Sequence, residues 1–105
     1  MKQPLYSLDT PGKQWGVYVL LCKDGTLYTG CTDCLERRLG MHNAGRGAKY
    51  TRGRTPVRLQ YWEPCEDRSH ALCREWHIKQ LSKAEKLALI AGQKTQIQGA
   101  DHDSQ

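Results

Sequence analysis

The chain has 105 residues, of which 38% are hydrophobic, and a formal net charge of +5, so one domain with a modest core is expected and two domains are excluded. No apolar run approaches the ~20 residues of a membrane-spanning helix and no secretory signal pattern is present, so we expect a cytoplasmic protein without membrane contacts. The positive charge favours an anionic partner without identifying one.

Residues 1–14 contain two prolines and little periodicity, and we expect them to form a flexible N-terminal arm. Residues 15–22 then alternate with the period of a strand and are apolar on both faces, which predicts a central strand covered on both sides. Asp24-Gly25 is a strong turn signal, and residues 26–31 are predicted to return as the second strand of a hairpin.

The length of this turn decides where two tyrosines lie. A two-residue turn pairs Leu21 with Tyr28 and places Tyr18 and Tyr28 on opposite faces of the hairpin. A three-residue turn with Gly25 in the left-handed conformation pairs Leu20 with Tyr28 and places both tyrosines on one face. The residues of the turn alone leave both registers open.

A first helix is predicted from a cap at Thr32 or Asp33 to about residue 44, with Gly45 as its terminator. Arg38 and His42 are four residues apart, so they share one edge of this helix beside its apolar seam. Such a pair is more often a solvated flank than part of a site.

A glycine-rich basic loop with one aromatic residue, Tyr50, is predicted over residues 45–55. It belongs to a segment, residues 37–58, that has no acidic residue. Loops of this composition are usually solvated connectors, but this one also suits phosphate contacts, with Tyr50 as a base-stacking surface. The basic residues of the segment are Arg37, Arg38, Arg46, Lys49, Arg52, Arg54 and Arg58.

A third strand is predicted over residues 57–62, closed by Pro64, and a second helix from near residue 67 or 69 to about residue 81. The apolar stripe of this helix consists of Ala71, Leu72 and Ile78, with Glu75 in its middle. A carboxylate on a buried stripe is costly unless it is compensated, so Glu75 is either half of an ion pair or a metal ligand.

A capping box, Ser82 to Glu85, opens a third helix that is predicted to end near Ala91, with Gly92 just beyond it. Residues 93–105 are predicted to be a disordered tail, which leaves one folded domain over residues 15–92.

The five cysteines are an odd number in a chain without a secretory signal, which indicates reduced thiols. Cys31 and Cys34 have the spacing of half a zinc site, but a second close pair is missing and His70 or His77 would have to complete it. Unligated thiols are the favoured interpretation.

The charged residues and the hairpin tyrosines together suit hydrolysis of a phosphodiester. Glu75 offers the carboxylate that a hard divalent cation binds together with waters and phosphate oxygens. An arginine such as Arg38 can neutralise charge that develops on the phosphate. A tyrosine can activate water only if a cation or hydrogen bonds stabilise its phenolate, and a strand tyrosine taken alone is more often a core residue.

The sequence resembles the GIY-YIG nuclease family. Gly16-Val17-Tyr18 and Tyr28-Thr29-Gly30 match its two signature tripeptides, and the similarity continues through residues 32–51 and 71–86. It covers residues 15–90 almost completely and is closest to short, stand-alone bacterial members. Thr29 and Cys31 depart from the pattern, since an aliphatic and a polar residue are common there.

The resemblance implies an α+β fold, a small and largely antiparallel three-stranded sheet flanked by helices, with a site that uses Mg²⁺ or Mn²⁺. It implies that Tyr28 is the general base, Tyr18 its supporting tyrosine and Arg38 the essential arginine. Glu75 corresponds to the metal-binding glutamate and His42 to a histidine near the site.

The same resemblance assigns structural roles to the motif glycines, Gly16 and Gly30. It also selects the three-residue turn, because both tyrosines then belong to one site.

The function implied is a metal-dependent DNA endonuclease. No part of the chain resembles the separate DNA-binding domain of larger family members, so we expect low sequence specificity. Single-stranded or branched DNA in repair or recombination is the candidate substrate, RNA is an alternative substrate, and a binding or assembly module with little catalysis is the alternative function. The expected nucleic-acid contacts are Arg37, Arg46, Lys49, Tyr50, Arg52 and Arg54.

Overall fold

Seven short elements make up the part of the chain that the computed structural model describes, residues 14–102, with side chains described as far as residue 93. The predicted N-terminal arm lies outside the described residues except for its last one. The elements in chain order are β1 (Gly16–Leu21), β2 (Leu27–Thr32), α1 (Leu35–Asn43), a 3₁₀ turn (Lys49–Thr51), β3 (Arg58–Pro64), α2 (Arg68–Lys79) and α3 (Lys83–His102).

The three strands form one antiparallel sheet in the order β2-β1-β3, which confirms the predicted α+β fold and the central position of β1. Val17 and Val19 are completely buried on the face covered by α2 and α3, among side chains such as Ile78. Tyr18 and Leu20 are buried on the opposite face, where Leu35 of α1 joins them. The strand is apolar on both faces because both are covered.

The hairpin has the three-residue turn. Leu20 lies opposite Tyr28, and Tyr18 lies opposite Gly30. Gly25 has a φ of 86° and donates its N–H to the carbonyl oxygen of Cys22 at 2.9 Å. Left-handed backbone favours glycine, and a three-residue hairpin turn requires that conformation at its last residue. Both tyrosines therefore lie on the α1 face of the sheet.

Only the C-terminal end of α1 agrees with the prediction. The predicted cap at Thr32 or Asp33 is wrong: Cys34 is the N-cap residue, because Thr32 is still the last residue of β2. At the other end Gly45 has a φ of 79° and donates to the His42 carbonyl at 3.1 Å, while the following N–H bonds to Met41. This Schellman arrangement confirms Gly45 as the terminator.

The second helix packs on the sheet through a narrower stripe than predicted. Ala71 and Ile78 are buried, but Leu72 is 41% exposed, so its predicted burial is wrong. Leu72 faces solvent beside Trp76, one turn further along α2 and 61% exposed. The helix begins after Asp67, whose carboxylate accepts the His70 N–H at 2.9 Å, as the capping pattern predicts.

The capping box of α3 is confirmed, since Ser82 N–H donates to Glu85 at 2.8 Å and Glu85 N–H donates to the Ser82 hydroxyl at 3.1 Å. Its predicted end near Ala91 is wrong. The helix continues through Gly92 and Gly99 to His102, because an interior glycine costs only about 1 kcal/mol and helix formers such as glutamine and lysine follow Gly92. Most of the residues predicted as a disordered tail are thus helical.

None of the helices in residues 14–102 is long and apolar enough to cross a membrane.

Thr29 offers a test of the packing on the α2 face. Its side chain is 2% exposed, and its hydroxyl has no hydrogen-bond partner among the described residues. Thr29→Val keeps the shape and removes the unpaired group, so we expect the free energy of unfolding in urea to rise by about 1 kcal/mol. Thr26→Val is the control, because Thr26 donates to Asp24 at 2.6 Å and should gain nothing. A loss of stability in Thr29→Val would contradict the burial of an unpaired hydroxyl.

Candidate active site

Two glycines make room for aromatic rings that lie across the sheet. A Cβ atom on Gly30 would lie 2.5 Å from the Tyr18 hydroxyl oxygen and 2.7 Å from its Cζ. A Cβ atom on Gly16 would lie 2.7 Å from Cζ2 of Trp62. Real contacts do not come this close, so any larger residue at either position displaces an aromatic side chain. Gly30 thereby leaves the space that the Tyr18 ring occupies, and Gly16 leaves the space that the Trp62 ring occupies.

His42 is fully buried under the basic loop and has both ring nitrogens engaged. Its Nε2 lies 2.9 Å from the Tyr18 hydroxyl oxygen, and its Nδ1 lies 2.8 Å from Oγ1 of Thr51. The Tyr28 ring packs edge-on, with its centroid 5.5 Å from that of His42. His42 has no free ring nitrogen and no exposed surface, so it contacts the rest of the site through Tyr18.

Arg38 lies among the three aromatic side chains of the site. Burial raises the pKa of Tyr18 to about 12, and a hydrogen bond from Arg38 offsets part of that rise. The positive charge of Arg38 also lowers the pKa values of Tyr28 and His42. The neighbouring Arg37 is 62% exposed and pairs with Asp33 at 3.4 Å, as expected for a residue on another side of the helix. Arg38 is thus the arginine directed into the site.

Tyr28 stands on the edge strand β2, half-buried, with its ring centroid 6.4 Å from that of Tyr18. Burial raises the pKa of the Tyr28 hydroxyl, while the positive charges of Lys79 and Arg38 lower it. The carboxylate of Glu75 raises it further. The hydroxyl therefore lies between cationic and anionic side chains from α1 and α2.

Glu75 faces this hydroxyl from α2. Its side chain is 17% exposed, and its Oε2 lies 3.1 Å from Nζ of Lys79 one turn later. Of the two predicted alternatives for Glu75, ion pair or metal ligand, the structure shows the ion pair with Lys79. Cys31 lies beside the same carboxylate: burial raises the pKa of its thiol to about 11, and the charge and hydrogen bond of Glu75 add to that rise. All five cysteines are free thiols, as predicted.

The donor chemistry around Glu75 suits a hard cation. The site offers one sheltered carboxylate, and Mg²⁺ or Mn²⁺ can complete its coordination with waters and phosphate oxygens. A cluster of three possible metal ligands in the described residues lies elsewhere. It consists of Glu66, Asp67 and His70, whose ligating atoms lie within 4.8 Å of one another. That group is fully exposed at the start of α2, roughly 12 Å along the helix axis from Glu75. Glu75 is the better candidate, because it adjoins Tyr28.

The basic loop closes over the site through Tyr50. The Tyr50 ring stacks on Tyr28, with centroids 5.7 Å apart and planes at 25°, and the Arg54 guanidinium carbon lies 4.2 Å from the Tyr50 centroid. Arg54 is held in turn by Asp24 of the hairpin turn, at 2.9 Å. Two residues expected to contact nucleic acid therefore already have partners within the chain, although Tyr50 remains 39% exposed.

The remaining loop cations are available to a ligand. Arg46, Lys49 and Arg52 are exposed, and none of them forms an ion pair with another residue in the described part of the chain. They surround the stacked Tyr50 in sequence and give the loop an uncompensated positive charge. This charge borders the Tyr28 side of the site.

Sequence reasoning missed two members of the site. Lys79 follows Glu75 at the i+4 spacing typical of helical ion pairs, so the signal was present in the sequence. Thr51 carries no such signal, because its contact with His42 depends on how the loop folds back. The expected site residues Tyr18, Tyr28, Arg38, His42 and Glu75 are all brought together.

The burial of His42 predicts a pH dependence of stability. Burial, aided by the charge of Arg38, lowers the pKa of His42 from 6.5 to about 4. Between these values the unfolded chain binds more protons than the folded chain, so stability is complete above pH 6.5 and falls as the pH drops towards 4. The total loss is about 3 kcal/mol. The tyrosines that face His42, Tyr18 and Tyr28, stay neutral throughout this range.

Urea unfolding measured from pH 4 to pH 7 checks this expectation. His42→Gln should remove most of the slope, whereas His70→Gln, at an exposed histidine, should retain it. An equal slope in wild type and His42→Gln would refute the assignment.

Comparisons with known proteins agree with this geometry. A family model described as the GIY-YIG catalytic domain matches residues 14–88. A UPF0213 protein of Halobacterium salinarum is 59% identical over 74 residues, which are 70% of this chain and 96% of that protein. A UPF0213 protein of Clostridium perfringens is 55% identical over 75 residues, covering 71% and 81%. The solution NMR structure of an E. faecalis protein has a TM-score of 0.52 at 43% identity, covering 77% of this chain and 88% of that one.

Proposed function

Since the chain belongs to the GIY-YIG catalytic domain family, we propose that it is a metal-dependent DNA endonuclease of low sequence specificity. The observation that carries the proposal is the meeting of Tyr28, Arg38 and Glu75, from three different elements, at the edge strand β2. A proton acceptor, a cation and a sheltered carboxylate are what hydrolysis of a phosphodiester requires.

Tyr28 receives the proton of the attacking water. Its pKa is raised by burial and by the charge of Glu75, so the phenolate needs additional positive charge to form. Glu75 would hold Mg²⁺ or Mn²⁺, which when bound would supply that charge by neutralising the carboxylate and polarising the phosphate. Lys79 contributes in the same direction, because its positive charge lowers the pKa of Tyr28.

Arg38 stabilises the charge that develops on the phosphate. Its guanidinium is already oriented by the Tyr18 hydroxyl, which is in turn held by His42. A donor that is in place before the reaction requires no reorganisation when the charge appears. Tyr18 and His42 are therefore positioning residues for Arg38.

The loop cations hold the phosphate backbone. Contacts made by Arg46, Lys49 and Arg52 fix the strand without reading its sequence, and the exposed Arg37 on α1 adds positive charge for the phosphate backbone. Arg54 keeps Tyr50 in place over Tyr28, and the exposed part of Tyr50 is available to stack on an unpaired base. These features favour single-stranded or branched DNA, as formed in repair and recombination.

The salt dependence of binding tests the loop. Replacing Arg46, Lys49 and Arg52 together with alanine should weaken binding to single-stranded DNA and lower the slope of log affinity against log salt by about 2. Fluorescence anisotropy over a salt series measures this slope. Arg58→Ala is the matched control, since Arg58 lies in the same acid-free segment but on β3, across the sheet from β2. An unchanged slope in the triple variant would remove the loop from the interface.

The direct test of the function is a cleavage assay. Purified protein is incubated with labelled single-stranded, duplex and branched DNA and with RNA, in the presence of Mg²⁺, Mn²⁺ or EDTA. We expect internal cleavage of single-stranded or branched DNA that requires the metal ion. Cleavage that persists unchanged in EDTA, or no cleavage of any substrate, would contradict the proposal.

The alternative function is a nucleic-acid-binding or assembly module with little catalysis. The Glu75–Lys79 ion pair favours it, because an ammonium group 3.1 Å from the carboxylate already compensates the charge that a metal ion would balance. The two functions differ in metal affinity. Binding of Mn²⁺ to the wild-type protein, lost in Glu75→Gln, supports the nuclease, and absence of binding supports the alternative.

A further inference from the structure

A chain of buried polar groups leads from the basic loop into the site. Thr51 and His42 are completely buried, and Tyr18 is 1% exposed. Oγ1 of Thr51 lies 2.9 Å from the carbonyl oxygen of Ala48 and 2.8 Å from Nδ1 of His42. Nε2 of His42 lies 2.9 Å from the Tyr18 hydroxyl oxygen, and Arg38 is close enough to that hydroxyl to lower its pKa. Each group in the chain thus has a neighbour on both sides.

The positions of the protons in this network follow from whether each group can donate or accept a hydrogen bond. A carbonyl oxygen can only accept, so Thr51 donates its hydroxyl proton to Ala48. Oγ1 of Thr51 then accepts from His42, which places the histidine proton on Nδ1. Nε2 is left as an acceptor, and the Tyr18 hydroxyl donates to it. All three donors, Tyr18, His42 and Thr51, therefore point in one direction, from the site towards the basic loop.

The opposite tautomer of His42 leaves groups unpaired. With the proton on Nε2, His42 would donate to the Tyr18 oxygen, and the proton of Tyr18 would have no acceptor among the described residues. The oxygens of Thr51 and Ala48 would then lie 2.9 Å apart without a proton between them. Buried polar groups without partners are costly, so the tautomer with the proton on Nδ1 is the one that fits.

We propose that Thr51 is a positioning residue that fixes the Nδ1–H tautomer of His42 and, through Tyr18, the orientation of Arg38. The part concerning Arg38 rests on the proposed function, in which Arg38 acts on the phosphate. Aligned hydrogen bonds strengthen one another, so removing the Thr51 hydroxyl weakens the other hydrogen bonds of the network. Because Thr51 belongs to the loop that carries the free cations, one network holds both the loop and the arginine.

Thr51→Val tests this role, because it keeps the size of the side chain and removes its hydrogen bonds. We expect the cleavage rate at saturating substrate to fall roughly 10- to 100-fold, as for a misplaced reacting group, and the dissociation constant for DNA to change by a smaller factor. Thr51→Ser retains the hydroxyl and should restore most of the rate. Thr29→Val is the matched control, since it is the same substitution at a buried site without a hydrogen bond.

The tautomer itself is measured by long-range ¹H–¹⁵N correlation spectra of the histidine rings. The wild-type protein should show His42 neutral with its proton on Nδ1, and Thr51→Val should move the proton towards Nε2. A wild-type spectrum with the proton on Nε2 would overturn the proposal, as would wild-type cleavage by Thr51→Val. The spectrum of the wild-type protein requires neither cleavage nor a folded variant, so failure of the nuclease function leaves this test intact.

Discussion

Glu75→Gln is expected to abolish cleavage while DNA binding remains measurable. The substitution keeps the size and hydrogen-bonding capacity of the side chain but removes the charge that holds a divalent cation. Loss of metal-supplied charge stabilisation is worth several kcal/mol, which corresponds to a rate at least about 10³-fold lower. The fold should persist, because the partner of Glu75 is Lys79, half-exposed one turn along the same helix.

Two measurements are needed to interpret this variant. Cleavage is measured with Mg²⁺ and Mn²⁺, and Mn²⁺ binding is followed separately by the relaxation of water protons. Glu66→Gln is the matched control, because Glu66 belongs to the exposed acidic group at the start of α2. We expect it to cleave and bind Mn²⁺ like the wild type. If Glu66→Gln loses Mn²⁺ binding and Glu75→Gln does not, the metal site has been assigned to the wrong carboxylate.

Arg38→Ala is expected to have the second-largest effect, a fall in cleavage rate of about 10²- to 10³-fold, the size found when one preorganised charge-stabilising donor is removed. The rate at saturating substrate should fall, while the affinity for DNA changes little, because Arg38 is half-buried among aromatic rings and acts in the transition state. Removing its charge also takes away a hydrogen bond to Tyr18.

The adjacent arginine provides the control for Arg38. Arg37→Ala removes the same charge from the same helix, but Arg37 is exposed and points to Asp33. It should weaken DNA binding slightly and leave the rate at saturating substrate unchanged. Equal effects of the two substitutions would show that both arginines act only by attracting the phosphate backbone.

Much of the fold follows from local patterns in the sequence. Residues 16–21 are apolar at every position, which is possible only for a strand covered on both faces. The ends of helices depend on glycine and capping residues. As expected, Gly45 ends α1 and Ser82 caps the start of α3. Gly92 does not end α3, because a helix former on each side can outweigh a single glycine. Leu72 shows the other limit: its burial depends on how α2 is rotated against the sheet.

The residues of the site likewise divide into those that the sequence predicts and those that it does not. Glu75 was found because a carboxylate in an apolar stripe is physically unusual, and its pairing with Lys79 was within reach of helix spacing. The register that brings Tyr18 and Tyr28 together could not be chosen from the turn residues, and required the family resemblance. Thr51 and the stacking of Tyr50 on Tyr28 depend on the path of an irregular loop, for which the sequence has no periodic signal.

The edge position of β2 gives the two tyrosines of the site different dynamics. Tyr18 belongs to the central strand, whose backbone is bonded on both sides, so its amide can exchange with solvent only when the domain unfolds as a whole. Tyr28 belongs to a strand bonded on one side, which can fray locally at a fraction of that free energy. In the proposed function, the Tyr28 half of the site is therefore the half that opens more readily to a nucleic-acid strand, while the Tyr18 half stays folded.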